Sequence, residues 1–231
     1  EVILAGGTDS VMTPLAINAF GRLGALSSRN DTPEQACSPF SAGRDGTVVG
    51  EGAAVLVLET LDHALARGAT ILAELGGYGL TSDAFHLAAP EPEGTSAARA
   101  MRMALQEAGL EVGPDWICAH GTGTVLNDVS ETRAIKLVLG ERAYATPVSS
   151  IKGGLGHMLG AAGAISGVAA VNIVQKIRVL QPAYICTNVA PSVGTDLAPS
   201  STSSFAAVGT VATAESRPNS EARPHLCASA D

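Results

Sequence analysis

Two histidines of this chain lie among glycines and small hydroxyl residues, and a lysine stands five residues before the second. His120 is in the segment AHGTGT at residues 119–124, and His157 closes the segment SSIKGGLGH at residues 149–157. Neighbours with little or no side chain let backbone and ligand approach an imidazole closely. Two such segments predict one small pocket that gathers His120, His157 and the ammonium group of Lys152.

Two imidazoles in one pocket suit chemistry in which negative charge develops on a carbonyl oxygen. If each ring is neutral and points an Nε2–H at a thioester carbonyl, the pair stabilises an enolate as an oxyanion hole does. Burial near a cation lowers the pKa of an imidazole and keeps it neutral. The pattern therefore favours an enzyme that forms a carbon–carbon bond in a dry pocket.

The other ionisable residues have ordinary interpretations as well. His63, His86 and His225 lack such surroundings and are predicted to be structural or solvent-exposed. Asp128 could be a helix N-cap and nothing more. A pair between Lys152 and Glu131 could be a structural ion pair.

Strands that alternate with helices must position these groups. Apolar runs, glycines and helical periodicity predict an α/β layered fold with functional loops at strand ends. Helices are predicted at residues 14–26, 60–67, 94–109, from Asn127 or Asp128 to 139, and 160–175; strands are predicted at 2–7, 48–58 (a hairpin or bent pair), 71–79, 116–119 and 147–150. The helix at 160–175 is so apolar and small-sided that most of its surface should be buried.

Composition narrows the classes of protein further. The chain has 231 residues, 46% of them hydrophobic, with 14 Lys+Arg against 22 Asp+Glu and a formal charge of -8. That balance argues against nucleic acid as a partner. No apolar run approaches the ~20 residues that span a bilayer, and the N-terminus does not resemble a signal peptide. A cytoplasmic protein is therefore expected. No metal site is expected either, because Cys37, Cys118, Cys186 and Cys227 are irregularly spaced.

Several motifs together resemble the β-ketoacyl-acyl-carrier-protein synthases, condensing enzymes of the thiolase superfamily. They are LSSRND at 26–31, RDGTVVGEGA at 44–53, SDAFH at 82–86, the His120 block, and KGGLGHMLGAAGA at 152–164. The likeness runs from about residue 1 to about residue 197 of this chain. It corresponds to the C-terminal half of a family member, and it is to the type II fatty-acid condensing enzymes. It implies a thiolase-like αβαβα fold that is incomplete, with the end of the first half and most of the second.

The resemblance assigns roles to individual residues. It implies a decarboxylating Claisen condensation of an acyl thioester with malonyl-acyl-carrier protein. The catalytic residues would be His120, His157 and Lys152, with His120 and His157 as the donors to the enolate. Glu131, paired to Lys152, and Asp128 would be supporting residues of the same polar network. Thr122 and Thr124 would bind the pantetheine arm that delivers the substrate. The family uses no separate cofactor, because phosphopantetheine is carried on the acyl carrier protein, which is the expected partner.

The resemblance also divides the chain. Residues 1–68 would end the N-terminal domain, 69–197 would form the C-terminal domain, and 198–231 would be a divergent, disordered tail without the family's last two strands and glycine-rich turn. The nucleophilic cysteine of the family aligns before Glu1, so none of the four cysteines is assigned catalysis. The chain is thus expected to be part of something longer and inactive in condensation by itself.

Other family interpretations stay open at this point. A ketosynthase of a polyketide pathway and a non-catalytic partner resembling a chain-length factor share the same motifs, although a partner without chemistry has no use for the His120, Lys152 and His157 set. The AHGTGT block separates the chain from thiolases. Family members are homodimers joined mostly through the N-terminal half, so the resemblance does not extend a dimer to this chain.

Overall fold

The computed structural model describes residues 1–179 and 226–230 of the chain, with side chains described up to Lys176. Its strands are β1 (Val2–Asp9), β2 (Gly52–Thr60), β3 (Thr70–Leu75), β4 (Ile117–Cys118), β5 (Val148–Ser149) and β6 (Leu226–Ala230). Its α-helices are α1 (Pro14–Arg22), α2 (Leu61–Ala66), α3 (Thr95–Glu107), α4 (Val125–Leu139), α5 (Lys152–Leu155) and α6 (Ala162–Val179). Short 3-10 turns lie at Pro33–Gln35, Gly140–Tyr144 and Leu159–Ala161.

The strands form two sheets. The larger has the order β1-β2-β6-β3, and each neighbouring pair in it is antiparallel. The smaller consists of β4 and β5, which are parallel and pair Ile117 with Val148 and Cys118 with Ser149. Because parallel strands end at the same edge of a sheet, the loops that follow β4 and β5 emerge side by side.

Three predictions about elements need correction. Residues 48–58 form no hairpin: β2 is one strand, and Val49 before it makes an isolated parallel bridge to His157. Helix α4 begins at Val125, since Thr124 is extended and its Oγ1 accepts from Asn127 N at 3.3 Å, so neither Asn127 nor Asp128 is the cap. Residues 226–230, assigned to a disordered tail, form β6.

The strand β6 shows why local sequence was a poor guide in that segment. Its five residues have no periodicity of their own, but they pair with β2 on one side and β3 on the other. Two partners satisfy the backbone N–H and C=O groups that a lone segment would leave to water. The remainder of the predicted tail, residues 198–225 and 231, lies outside the described residues, as do the predicted ends of the second domain from 180 to 197.

The short strand β4 is buried on both faces, as is typical of parallel sheets. On one face Trp116 and Cys118 pack against Ala170 of α6. On the other face Ile117 and Ala119 pack against Ile135 of α4. The loop that leaves β4 is therefore fixed between two helices, and this is the loop that carries His120.

Helix α6 forms the central layer beneath the larger sheet, where Ile165 packs with Ala54 of β2 and with Met158. Within residues 162–176 only Gly163, Asn172 and Lys176 are exposed, which confirms the prediction of a mostly buried helix. Among the described helices, none is long and apolar enough to cross a membrane.

Candidate active site

The structure brings the two predicted histidines together. His120 follows β4, while the main chain of His157 is held by residues before β2: His157 N donates to Val48 O at 2.7 Å and Gly50 N donates to His157 O at 3.0 Å. The ring centroids of His120 and His157 lie 5.2 Å apart, with the ring planes at 87°. Two separate parts of the chain thus supply one edge-to-face pair of imidazoles.

A backbone contact fixes the tautomer of His157. Its Nδ1 lies 3.1 Å from Leu159 N, which can only donate, so Nδ1 is the acceptor. A neutral His157 then carries its proton on Nε2. Leu159 has φ of 44°, an unusual value for a residue with a bulky side chain. His157 is therefore set as an Nε2–H donor.

Both imidazoles are uncharged at neutral pH. Burial, followed by the charge of Lys152 and the neighbouring His157, lowers the pKa of His120 to about 3. Burial and the Lys152 charge lower the pKa of His157 to about 4. His120 keeps an exposed part at the molecular surface even though protein atoms surround most of its ring, and hydration of that part moderates the shift.

Lys152 and Glu131 flank the His120 peptide from two sides. Lys152 is 2% exposed, and its Nζ donates to His120 O at 2.6 Å. Glu131 accepts from His120 N at 2.7 Å and from Gly121 N at 2.8 Å. Among the described ion pairs the two side chains make no direct contact within 4.0 Å, so the expected pairing acts across the His120 backbone.

Burial disfavours the charged form of both Lys152 and Glu131, and neighbouring groups oppose it in part. Burial lowers the pKa of Lys152, and the negative charge of Glu131 opposes that shift. Burial likewise raises the pKa of Glu131, while the hydrogen bonds from Gly121, His120 and Asn127 oppose it. Such shifts in opposite directions are frequent at functional sites.

Asp128 lies inside α4 and joins two loops, which makes the interpretation as a simple N-cap wrong. It is 2% exposed; its Oδ2 accepts from Phe40 N at 2.7 Å and its Oδ1 from Gly123 N at 3.2 Å. Arg44 Nε lies 3.5 Å from the same Oδ2. Asp128 and Glu131, one turn apart on α4, therefore hold three backbone N–H groups of the His120 loop.

Thr122 and Thr124 lie in the same loop, but their hydroxyl groups contact each other at 2.8 Å. Thr122 is 5% exposed, and Thr124 caps α4 through Asn127 N. Both hydroxyls therefore shape the loop. Their binding of a pantetheine arm stays a prediction.

The described cysteines lie near the site without the surroundings of a nucleophile. Cys118 is buried against Trp116 and Ala170, and burial raises the pKa of its thiol. Cys37 is half-buried, with its Sγ 3.8 Å from Thr122 O and 3.9 Å from Thr47 Oγ1. Cys186 lies outside the described residues, and for Cys227 only the backbone of β6 is described.

The histidines predicted to be structural fit that prediction where they are described. His63 Nδ1 lies 2.6 Å from Glu59 Oε2, and His86 Nδ1 accepts from Ala88 N and Ala89 N. His225 lies outside the described residues. Among the described residues there is no group of three or more His, Cys, Asp or Glu that could hold a metal ion.

Four residues of the site were missed by the sequence reasoning. Ser150 Oγ donates to Gly121 O at 2.8 Å, Leu159 sets the His157 tautomer, and Phe40 and Arg44 bind Asp128. Ser150 lies in the segment SSIKGGLGH, two residues before Lys152, and its position directly after β5 could have indicated that it belongs to the site. Phe40 gave no such signal, and Arg44 stood at the start of the RDGTVVGEGA motif without any sign that Asp128, far along the chain, is its partner.

Two family descriptions match the chain: "Beta-ketoacyl synthase, N-terminal domain" over residues 1–64 and "Beta-ketoacyl synthase, C-terminal domain" over residues 72–184. The chain is 46% identical over 202 residues to 3-oxoacyl-[acyl-carrier-protein] synthase 2 of Synechocystis sp., covering 86% of this chain and 48% of that protein. It is 49% identical over 172 residues to a putative polyketide beta-ketoacyl synthase 1 of Streptomyces cyaneus, covering 74% of this chain and 41% of that protein.

Solved structures with the same fold agree with these matches. The complex described as AntDE:AntF, a type II PKS acyl-carrier protein with its ketosynthase bound to the hexaketide, is similar with a TM-score of 0.71 and 41% identity, covering 77% of this chain and 43% of that one. The ishigamide ketosynthase/chain length factor gives a TM-score of 0.64 and 40% identity, covering 77% and 41%. The chain spans about half the length of the curated relatives it matches.

Proposed function

The chain belongs to the beta-ketoacyl synthase family and has its α/β, thiolase-like fold, and from this premise we propose that it carries the decarboxylation site of a 3-oxoacyl-[acyl-carrier-protein] synthase. The observation that carries the proposal is the edge-to-face pair of neutral imidazoles, of which His157 is set as an Nε2–H donor. Two neutral N–H donors beside a buried ammonium group suit a negative charge that develops on one oxygen.

The proposed step begins with a malonyl thioester. The bond between its carboxylate carbon and α-carbon breaks, CO2 leaves, and the electron pair forms an enolate whose oxygen accepts hydrogen bonds from His120 and His157. The α-carbon then attacks the carbonyl carbon of an acyl group held on a cysteine thiolate. That thiolate leaves, and a β-ketoacyl thioester remains on the carrier.

The buried charges would orient the donors and take no part in proton transfer. Lys152 holds the carbonyl of His120, and Glu131 holds the N–H groups of His120 and Gly121, so the first imidazole is fixed through its backbone. The positive charge of Lys152 also disfavours protonation of both rings. A neutral ring keeps its Nε2–H donor without attracting a carboxylate that must lose CO2.

An acyl carrier protein is the proposed partner, and its phosphopantetheine arm makes a separate cofactor unnecessary. The similar structure described as AntDE:AntF contains a type II PKS acyl-carrier protein in complex with its ketosynthase. Thr122 and Thr124, next to His120, are the residues we assign to the arm. A homodimer is proposed only for the full-length family member.

The nucleophile of the condensation step is assigned to no described cysteine. The thiol of Cys118 is buried and has a raised pKa, so little of it is thiolate. Cys37 lies in a loop without the strand, turn and helix that expose a nucleophile. We therefore expect the isolated chain to be inactive in condensation.

Fatty-acid synthesis is the first candidate pathway, because 3-oxoacyl-[acyl-carrier-protein] synthases from several bacteria match the chain at 46 to 48% identity. A polyketide pathway is the second candidate, on the 49% identity to the Streptomyces cyaneus protein. A chain-length-factor-like partner is the third; the paired, neutral imidazoles argue against it, since a protein without chemistry gains nothing from them.

The test is release of 14CO2 from [14C]malonyl carrier protein, with circular dichroism to verify that each protein is folded. We expect release above the buffer rate with the chain, and loss of that release in His120→Ala and in His157→Ala. Control variants are His63→Gln and His86→Gln, which leave the imidazole pair intact. Release that persists in the His120 and His157 variants, or no release from the folded chain, would contradict the proposal.

A further inference from the structure

The two catalytic imidazoles are anchored to different parts of the molecule. His157 is bonded through its backbone to residues 48–50, ahead of β2. His120 is held through its backbone N–H by Glu131 on α4. Lys152 Nζ already joins the two segments through His120 O, and the 5.2 Å separation depends in addition on what fixes the segment before Val48 against the start of α4.

Arg44 makes that connection. Its Nε donates to Thr124 O at 3.2 Å and its Nη2 to Val125 O at 3.1 Å, both at the start of α4. Its Nη1 donates to Ser41 O at 2.9 Å, in its own loop. Its Nε also lies 3.5 Å from Asp128 Oδ2, and the side chain is 15% exposed. One guanidinium thus links the loop at 38–46 to the helix that holds His120.

Asp128 extends the link in both directions. The carboxylate that pairs with Arg44 accepts from Phe40 N, on the Arg44 side, and from Gly123 N, on the His120 side. Phe40 has φ of 60°, a conformation that a residue with a side chain rarely adopts without support. Because Asp128 is 2% exposed, removal of its cation would leave a buried charge without compensation.

We propose that Arg44 is a positioning residue that fixes the His157 segment relative to the His120 loop. This role rests on the proposed decarboxylation at the two imidazoles, but the structural part of it can be tested without that reaction. Only three residues separate Arg44 from Val48, whose carbonyl accepts from His157 N, so a shift of Arg44 would move the backbone that carries His157.

Arginine is suited to this position and lysine is not. The planar guanidinium reaches carbonyl groups of Ser41, Thr124 and Val125 in three directions while it faces the Asp128 carboxylate. An ammonium group is a compact charge at the end of a flexible stem and lacks that fork. Arg44→Lys should therefore compensate Asp128 but leave the start of α4 loose.

The experiment compares Arg44→Met, Arg44→Lys, Asp128→Asn and the double variant Arg44→Met/Asp128→Asn with the unchanged chain. Hydrogen exchange followed by NMR would report on the amides of Phe40 and Gly123, which the Asp128 carboxylate protects. In Arg44→Met we expect exchange at both to rise by about tenfold or more, with no change in α3 or α6. Arg44→Lys should give a smaller rise, and the double variant should resemble Asp128→Asn alone.

Arg29→Met is the matched control. Arg29 lies before the loop at 38–46, and its contacts with Gly43 O and Asp45 bind that loop without reaching α4. Its loss should leave the amides of Phe40 and Gly123 protected. Exchange that rises uniformly across the chain, no rise in Arg44→Met, or additive effects of Arg44→Met and Asp128→Asn would overturn the assignment.

Decarboxylation supplies the second measurement. In Arg44→Met we expect kcat to fall by about 10- to 100-fold with KM for malonyl carrier protein unchanged, as for a donor displaced by a fraction of an ångström. Arg29→Met should keep the original kcat. If the unchanged chain releases no CO2, the proposed function fails, whereas the exchange data still decide the role of Arg44.

Discussion

His120 and His157 meet edge to face, with ring centroids 5.2 Å apart and planes at 87°. Perpendicular rings cannot stack, but they can donate to one oxygen from two directions, which matches the two lone pairs of an enolate oxygen. The Leu159 N–H occupies Nδ1 of His157, so Nε2 alone is available as its donor. The geometry therefore distinguishes the two nitrogens of one ring, and substitutions can test each separately.

The first prediction concerns the side-chain nitrogen of His157. The amide of His157→Gln can reach the position of Nε2 and keep a donor there, whereas the shorter His157→Asn can accept from Leu159 N but leaves the Nε2 position empty. We expect kcat for malonyl decarboxylation to fall by about 10²- to 10³-fold in His157→Asn, as for loss of an oxyanion-hole donor. His157→Gln should retain more activity.

Equal losses in the two variants would contradict the assignment of Nε2 as the donor. Circular dichroism and thermal unfolding of both proteins would show whether either change disturbs the fold. His86→Asn is a suitable control, because His86 Nδ1 also accepts from two backbone amides but lies in a separate loop.

The sequence predicted the local part of this site well. His120, Lys152 and His157 lie within short glycine-rich segments, and the ends of two parallel strands bring their loops together. Neighbours of this kind can be predicted from spacing and strand order. Glu131 and Asp128 were implied by the resemblance to the synthase family, and the structure places them one helical turn apart on α4, beside the His120 loop.

The rest depends on contacts between distant residues. Phe40 is 88 residues from Asp128, and Arg44 is 80 residues from Thr124, so no local pattern connects them. The strand β6 exists through its pairing with β2 and β3, and its own five residues carry no signal. The N-cap of α4 was misjudged by a few residues because Thr124, Asn127 and Asp128 are all plausible caps.

The second prediction concerns the carboxylate of Glu131. Its two oxygens accept from His120 N and Gly121 N, so Glu131→Gln would turn an amide N–H toward a backbone N–H. The His120 loop should shift, and kcat for decarboxylation should fall by about 10- to 100-fold. Glu141→Gln, on the exposed turn after α4, is the matched control. An unchanged rate in Glu131→Gln would show that these hydrogen bonds do not set the position of His120.

The third prediction concerns Gly121, whose φ is 37°. A Cβ at this position would lie 2.5 Å from Ser150 Cβ and 2.8 Å from Phe40 Cε2. We expect Gly121→Ala to lower the free energy of unfolding by at least about 2 kcal/mol, from backbone strain and overpacking together. Urea denaturation followed by circular dichroism would measure it.

The same kind of substitution at Gly163 should stabilise the chain instead of destabilising it. Gly163 lies in α6 with open space where a Cβ would be placed. The change should raise the free energy of unfolding by about 0.5 to 1 kcal/mol, because alanine is the better helix former. A loss of stability in Gly121→Ala no larger than the change in Gly163→Ala would mean that the His120 loop adapts to a side chain.

The fourth prediction is that acid destabilises the chain through its two active-site imidazoles. The pKa of His120 is lowered to about 3 and that of His157 to about 4, from an ordinary value of 6.5. Between these values the unfolded chain binds more protons than the folded chain, so stability falls as the pH falls. The stabilising effect is complete above about pH 6.5 and is lost progressively toward pH 4 and below.

Carboxyl groups also titrate in part of this pH range, and a variant without the two imidazoles separates their effect on stability from that of the histidines. Hydrogen bonds from Ser27 and from the backbone of Glu93 lower the pKa of Asp45 and of Glu91, respectively. Protonation of these two carboxylates also destabilises the folded chain, but only at pH values below the ordinary pKa of a carboxyl group. Burial raises the pKa of Glu131, so protonation of Glu131 opposes the trend. Urea denaturation of the unchanged chain from pH 7 to 4.5 should show a falling free energy of unfolding. In His120→Gln/His157→Gln that slope should be much smaller, since only the imidazoles differ. Equal slopes in the two proteins would mean that both rings charge in the folded state as readily as in water, which is incompatible with a pair of neutral donors.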